Sequence, residues 1–407
     1  KSIDLRVLGA EGAAVSPAHV PLNYAEGTVP LTFSLPTPGT YTLVATCGPV
    51  HAEAPFEAGV HTDTVAAATA AAESTAPAGW RLLGTVGVGF RGAPGRGVPV
   101  RLDLPSAVPD VLGARAFATS GDAVASCVGG REIALAADGA ADTVATYRIC
   151  LPKEGTAPLP AERRVEIAQP DDTTVMIRGD TYTICFDTDY GVVRWLETLG
   201  QRSVRYRTGL VAVAEDGRIF APGADGVVEG MTLAGSAIEG ELSFTRRQQP
   251  FLMEETWHFT ASRIEVAMMV ANDGSAPITC TSLAVEIGAD PKALPLWQRL
   301  FADGREEKGV LPSGFGPAAG AKVVDLCRED GTGLAIRLGR CALMTKWQSG
   351  FAGVQHNVGS TQIILLRGVR FDPGDRLLAE FALIPHGSEG VTADIPVTVT
   401  AWRPSPD

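Results

Sequence analysis

Histidine, lysine, tyrosine and carboxylate side chains carry most proton-transfer chemistry, and this sequence gathers them in few places. The stretch 344–358, MTKWQSGFAGVQHNV, sets Lys346, Trp347, Gln348, Phe351, Gln355, His356 and Asn357 close together, and Gly350 and Gly353 weaken any helix there. A flat indole such as Trp347 can stack on the C–H face of a sugar ring. Amide and ammonium groups beside it can bind hydroxyls or a carboxylate. The segment reads either as a saccharide-recognition loop or as an ordinary inter-strand loop whose Trp347 caps the core.

His258 stands in the run EETWHFT, out of step with Trp257 and Phe259. In a strand, successive side chains alternate between faces. If the two aromatics face the core, His258 faces outward or into a concave sheet surface. The loop 297–316, WQRLFADGREEKGVLPSGFG, carries Arg305, Glu306, Glu307 and Lys308 in a mixed charge run. It reads as a solvated loop or as one wall of a ligand site.

Two reaction classes suit these groups. Elimination on a uronic acid needs a cation for the carboxylate, a base for the C5 proton and an acid for the leaving oxygen. Lys346 or Arg247, His258 or His356, and Tyr190 or Tyr206 are the candidates in that order. Hydrolysis instead needs two carboxylates separated by ~5–10 Å, and Glu254, Glu255, Glu306 and Glu307 are available. The expected ligand contacts come from Trp347, Gln355, Asn357, Arg247, Arg305 and Glu306.

Other chemistries lack their motifs. Gly84, Gly87 and Gly89 lie in a β pattern with no helix after them, so no dinucleotide loop forms and no cofactor is expected. Asp187 and Asp189 do not have the spacing of a calcium loop, and an Asx turn is the expectation, with no metal. The seven cysteines include no CxxC pair, which argues against structural zinc. They read as mostly buried thiols, with a Cys127–Cys150 disulfide open if the protein is exported.

The net charge of −12 leaves no broad basic surface for nucleic acid. Arg163–Arg164 and Arg246–Arg247 read as isolated solvated pairs. No run of ~18 apolar residues marks a membrane-spanning helix. The chain opens on Lys1, which points to a processed or trimmed chain, and a secreted or periplasmic location is the expectation.

The elements that must position these side chains are strands. Gly (46) and Pro (28) are abundant, as short strands joined by tight turns require. Residues 1–60 alternate as the half-buried strands of a small sandwich do, with 40–46 (TYTLVAT) the clearest strand, and PLTFSLPTPGTYTLVA (30–45) resembles the strand–turn–strand ending of immunoglobulin-like modules. Residues 61–79 are an Ala-rich linker. Residues 80–160 form a second small sandwich, with strands at 98–104 and 143–151 and a linker over 152–160. Residues 165–402 hold a dozen or more strands with no helices between them, and two large opposed antiparallel sheets accommodate that number. The fold class is therefore all-β.

The third block resembles the galactose-mutarotase-like supersandwich of carbohydrate-active enzymes. The segments that carry the resemblance are YTICFDTDYGVVRWLETLGQRSV (182–204), EETWHFTASRIEVAMMVANDGSAPITCTSLAVEI (254–287) and GDRLLAEFALIPHG (374–387). Their order is similar to that in exo-acting rhamnogalacturonan-lyase-like proteins, the YetA-like group. GRGVPVRLDLPS (95–106) resembles the small sandwich that precedes it there. The helical toroid that follows the sandwich in that group has no counterpart in this sequence. The resemblance implies a carbohydrate-active protein, a lyase or a glycoside hydrolase. A non-catalytic glycan-binding or self-assembling multi-sandwich protein remains the alternative.

Overall fold

The computed structural model describes residues 2–8, 14–21, 39–47, 50–58, 76–90, 95–103, 113–129, 132–156, 163–221, 226–301, 304–311, 316, 320–343, 348–357, 360–388 and 397–404. Among them there is no helix, and every strand pairing is antiparallel. Among the described residues no helix is long and apolar enough to cross a membrane. The chain divides into two compact units, Lys1–Glu73 and Ser74–Asp407. The first holds one four-stranded sheet, with Ser2–Leu8 and Gly39–Cys47 at its centre. Most of the Ala-rich segment lies outside the described residues.

The second unit contains two face-to-face sandwiches. In the smaller one, Trp80–Phe90 and Thr143–Pro152 belong to a five-stranded sheet, while Gly95–Asp103 and Glu132–Gly139 belong to a three-stranded sheet. Val86, Val88 and Ile149 from one sheet meet Val100, Ile133 and Leu135 from the other. The edge of the five-stranded sheet is Val397–Pro404, which pairs with Trp80–Phe90. The far end of the chain thus completes the small sandwich, although local alternation had grouped it with the large block.

The larger sandwich packs a nine-stranded sheet on a ten-stranded one. Period-2 alternation explains the packing. Gly240–Gln248 and Phe251–Phe259 are buried at every second residue, so Leu242, Phe244, Met253, Trp257 and Phe259 all enter one core. Phe186 of the opposite sheet meets the Trp257 ring edge-on at 5.2 Å and the Phe259 ring at 5.9 Å. Such pairs add ~0.5–1.5 kcal/mol beyond the burial of their area.

Both presumed loops contain strands. Leu296–Phe301 and Glu306–Val310 form a hairpin at the edge of the ten-stranded sheet. Gly353–Asn357 is the edge strand of the nine-stranded sheet. Charged and polar side chains on edge strands blunt the exposed edge, which accounts for the loop-like composition. Cys127 and Cys150 are free thiols on strands of different sheets, so the disulfide considered from sequence does not form. Asp187 makes the expected Asx turn, accepting the amides of Asp189 at 3.1 Å and Tyr190 at 3.3 Å.

Candidate functional site

His258 occupies the outward parity of its strand. Trp257 and Phe259 on either side are 2% and 0% exposed, whereas the histidine side chain is 32% exposed. Its neighbours across the sheet are Glu241 and Glu265. Its Nε2 lies 3.3 Å from a Glu239 oxygen, and its Nδ1 lies 4.0 Å from Glu265. One imidazole is therefore held between two carboxylates.

Arginines hold those carboxylates in turn. Arg101 bonds to Glu239 and also to Glu132 at 2.8 Å. Hydrogen bonds to Glu132 and Glu239 raise the Arg101 pKa further above its ordinary value. Arg263 pairs with Glu265 at 3.0 Å. Burial, and then the nearby charge of Arg263, lower the pKa of Arg337. Ser243 and Thr256 join their hydroxyls at 3.1 Å farther along the same outer face. The surface is polar, charged and rich in hydroxyls.

The remaining candidates stand elsewhere. Arg247 faces Leu252, six residues along the strand from His258, or about 20 Å away at ~3.3 Å per residue. It is tied to Glu229 and Asp273. Arg305 pairs with Glu307 and covers the Phe301 ring, while Glu306 engages Lys308 and Gln298. The hairpin bearing them lies five to six strands from the strand of His258, about 24–29 Å at ~4.8 Å per strand.

His356 points inward. It is 1% exposed, its Nδ1 lies 2.9 Å from the Thr361 hydroxyl, and burial lowers its pKa. It belongs to the core. Gln355 takes the opposite parity, binding Gln362 at 2.7 Å and Arg367 at 2.8 Å on the outer face of the nine-stranded sheet. That face and the face of His258 lie on opposite sides of the large core. Asn357 ends the same edge strand. Tyr190 sits 37% exposed at the Asp187 turn, with its carbonyl accepting from Arg246 at 3.4 Å. Lys346 and Trp347 lie outside the described residues.

The described candidates therefore do not share one cleft. The group that does converge contains Glu239, Glu265, Arg101 and Arg263, none of which was singled out from sequence. Glu265 and Glu241 become visible only when register is known, because a strand's own residues say nothing of what stands beside them. No group of three or more potential ligands for a metal occurs among the described residues.

No protein-family model matches the chain, and no curated protein matches it. Among solved structures, it is similar to a putative aldose 1-epimerase from Escherichia coli K12 at 11% identity. The match covers 55% of this chain and 99% of that one, with a TM-score of 0.32. It is similar to a GH36 α-galactosidase from Geobacillus stearothermophilus at 12% identity, over 44% of this chain and 30% of the other, with a TM-score of 0.30. A raffinose complex of a variant of that α-galactosidase matches at 11% identity over 55% and 41%, with a TM-score of 0.33.

Proposed function

We propose that this chain is a carbohydrate-active protein that binds an oligo- or polysaccharide on the outer face of the ten-stranded sheet and cleaves it there by hydrolysis. The observation that carries the reading is the Glu239–His258–Glu265 constellation. Both carboxylates reach one imidazole, at 3.3 and 4.0 Å, so the acids lie within about 10 Å of each other. Glycoside hydrolysis uses carboxyl pairs at ~5–10 Å. Glu239, paired with Arg101, is placed to act as base or nucleophile. Glu265 supplies the second carboxyl group of the pair, and His258 stands between the two, within reach of both. Elimination has less support, because Tyr190 and Arg247 are not among the groups around His258.

A second reading, glycan binding without turnover, is favoured by a separate observation. The His258 side chain is 32% exposed on an outer sheet face, a surface open to water. The two readings part in one assay. Purified protein is incubated with neutral and uronate-containing polysaccharides, and reducing ends and unsaturated uronate are followed alongside binding. Cleavage is expected to fall ~10²–10⁴-fold in Glu239→Gln and in Glu265→Gln. Binding with no turnover would leave the second reading, and neither binding nor turnover would end both.

A further inference from the structure

Arg163 and Arg164 form an isolated pair in the sequence but not in the fold. A cavity of about 290 Å³ opens where the small sandwich meets the large one, lined by Arg96, Arg163, Arg164 and Arg178 with Asp180 and Glu166. Four guanidinium groups thus face two carboxylates, in a protein whose net charge is −12. Carboxylates meet only part of this positive charge, and the remainder attracts an anion.

Part of the set is already held in place. Asp180 accepts from Arg164 at 2.5 Å and lies 3.5 Å from Arg96. Arg164 also binds Asp138. These carboxylates are themselves anchored by backbone. The Asp180 amide donates to the Ala261 carbonyl at 2.6 Å, and Asp138 accepts from the Gly97 amide at 2.6 Å. The approach at Ala261 requires glycine at position 179, where a Cβ would stand 2.5 Å from that carbonyl oxygen. By contrast, Arg163 and Arg178 are exposed and have no ion pair among the described residues.

A second cavity of about 200 Å³ shares Arg163 and is lined by Ile167, Leu233 and Ala234 beside Ser236. A cationic hollow therefore adjoins one with apolar walls. Guanidinium groups grip planar and tetrahedral oxyanions in bidentate fashion, and aliphatic walls suit the C–H face of a sugar. Ligand pockets begin at ~300 Å³, so the space suits one sugar unit rather than a run of them.

We propose that this paired cavity is a binding site for an acidic saccharide, a sugar ring bearing a carboxylate or a sulfate. Arg163 and Arg178 hold the anion, and Ile167 and Leu233 contact the ring. The ring part rests on the saccharide reading above, and the anion part does not. The site borders the turn 260–263 that follows the strand of His258, so it would hold an acidic residue of the chain that is bound nearby.

Calorimetric titration of the full chain at low salt tests this with galacturonate, galactose 6-sulfate, galactose and inorganic sulfate. Both acidic sugars are expected to bind at least about tenfold more tightly than galactose, and added salt weakens them. The Arg163→Gln/Arg178→Gln double variant loses that preference. Its melting temperature stays near the parent's, because both side chains are exposed and unpaired. Equal affinity for galactose and galacturonate, or an unchanged preference in a folded double variant, would overturn the proposal. Inorganic sulfate binding as tightly as the acidic sugars would overturn its sugar part. Failure of the His258 reading would show instead as absent turnover with the galacturonate titration intact.

Discussion

Arg246 and Glu255 lie 3.0 Å apart inside the large sandwich, and each side chain is only 2% exposed. They stand diagonally on neighbouring strands, Arg246 opposite Met253 and Glu255 opposite Phe244, at positions that alternation assigns to the core. The second Glu255 oxygen accepts from the Trp257 indole at 3.3 Å, and Arg246 also reaches the Tyr190 carbonyl. A buried charge is tolerated because its partner and its hydrogen bonds come with it.

Removing one member leaves the other charged and unpaired. Glu255→Leu or Arg246→Met alone is expected to cost ~3–5 kcal/mol, while the double substitution costs much less than the sum. Urea unfolding of the three variants measures the coupling. Additive losses would show that the pair does not act as a unit.

His356 gives a pH dependence with a definite sign. Burial lowers its pKa below the ordinary 6.5, so the unfolded chain takes up a proton before the folded one does. Its contribution is absent at neutral pH. Stability falls as pH drops from about 6.5 toward the lowered value and is flat below that. A His356→Asn variant should lack this component when unfolding midpoints are compared across that range. A parallel slope in the variant would assign the effect to another group.

The buried thiols should be inert. Burial pushes Cys280 up to about 11 and Cys341 up to about 12. At about pH 8 almost no thiolate is present at either, and the thiolate is the reactive form. Peptide mapping after brief alkylation should find both unmodified in native protein and fully modified in urea. Rapid native labelling of either would contradict the packing around it.

Deleting Val397–Pro404 should damage the small sandwich rather than the large one. That strand forms the hydrogen-bonded edge beside Trp80–Phe90. Its loss exposes an unpaired edge, and aggregation or a lowered melting temperature is expected. Hydrogen exchange should rise first across residues 84–90. Unchanged protection there would remove the strand's assigned role.

At Gly97 the small sandwich meets the large one with no room for a side chain. Its φ is +58°, and a Cβ would stand 2.2 Å from that of Ala261. Gly97→Ala is expected to destabilise by more than the ~1 kcal/mol of a left-handed backbone alone, as read by thermal unfolding. An equal or higher melting temperature would show that the junction can yield.

Alternation along a strand is local, so the sequence alone determined the all-β class, the inward Trp257 and Phe259, and the outward His258 between them. What stands beside His258 is set by hydrogen bonding between segments. Only the tertiary structure decided that Glu265 and Glu239 flank it, that Arg247 is a strand's length away and that His356 turns into the core. The arginine cavity draws Arg96, Arg163 and Arg178 from three separate segments. Sheet neighbours are chosen by which apolar faces close on one another, a property of the whole chain that no window of residues contains.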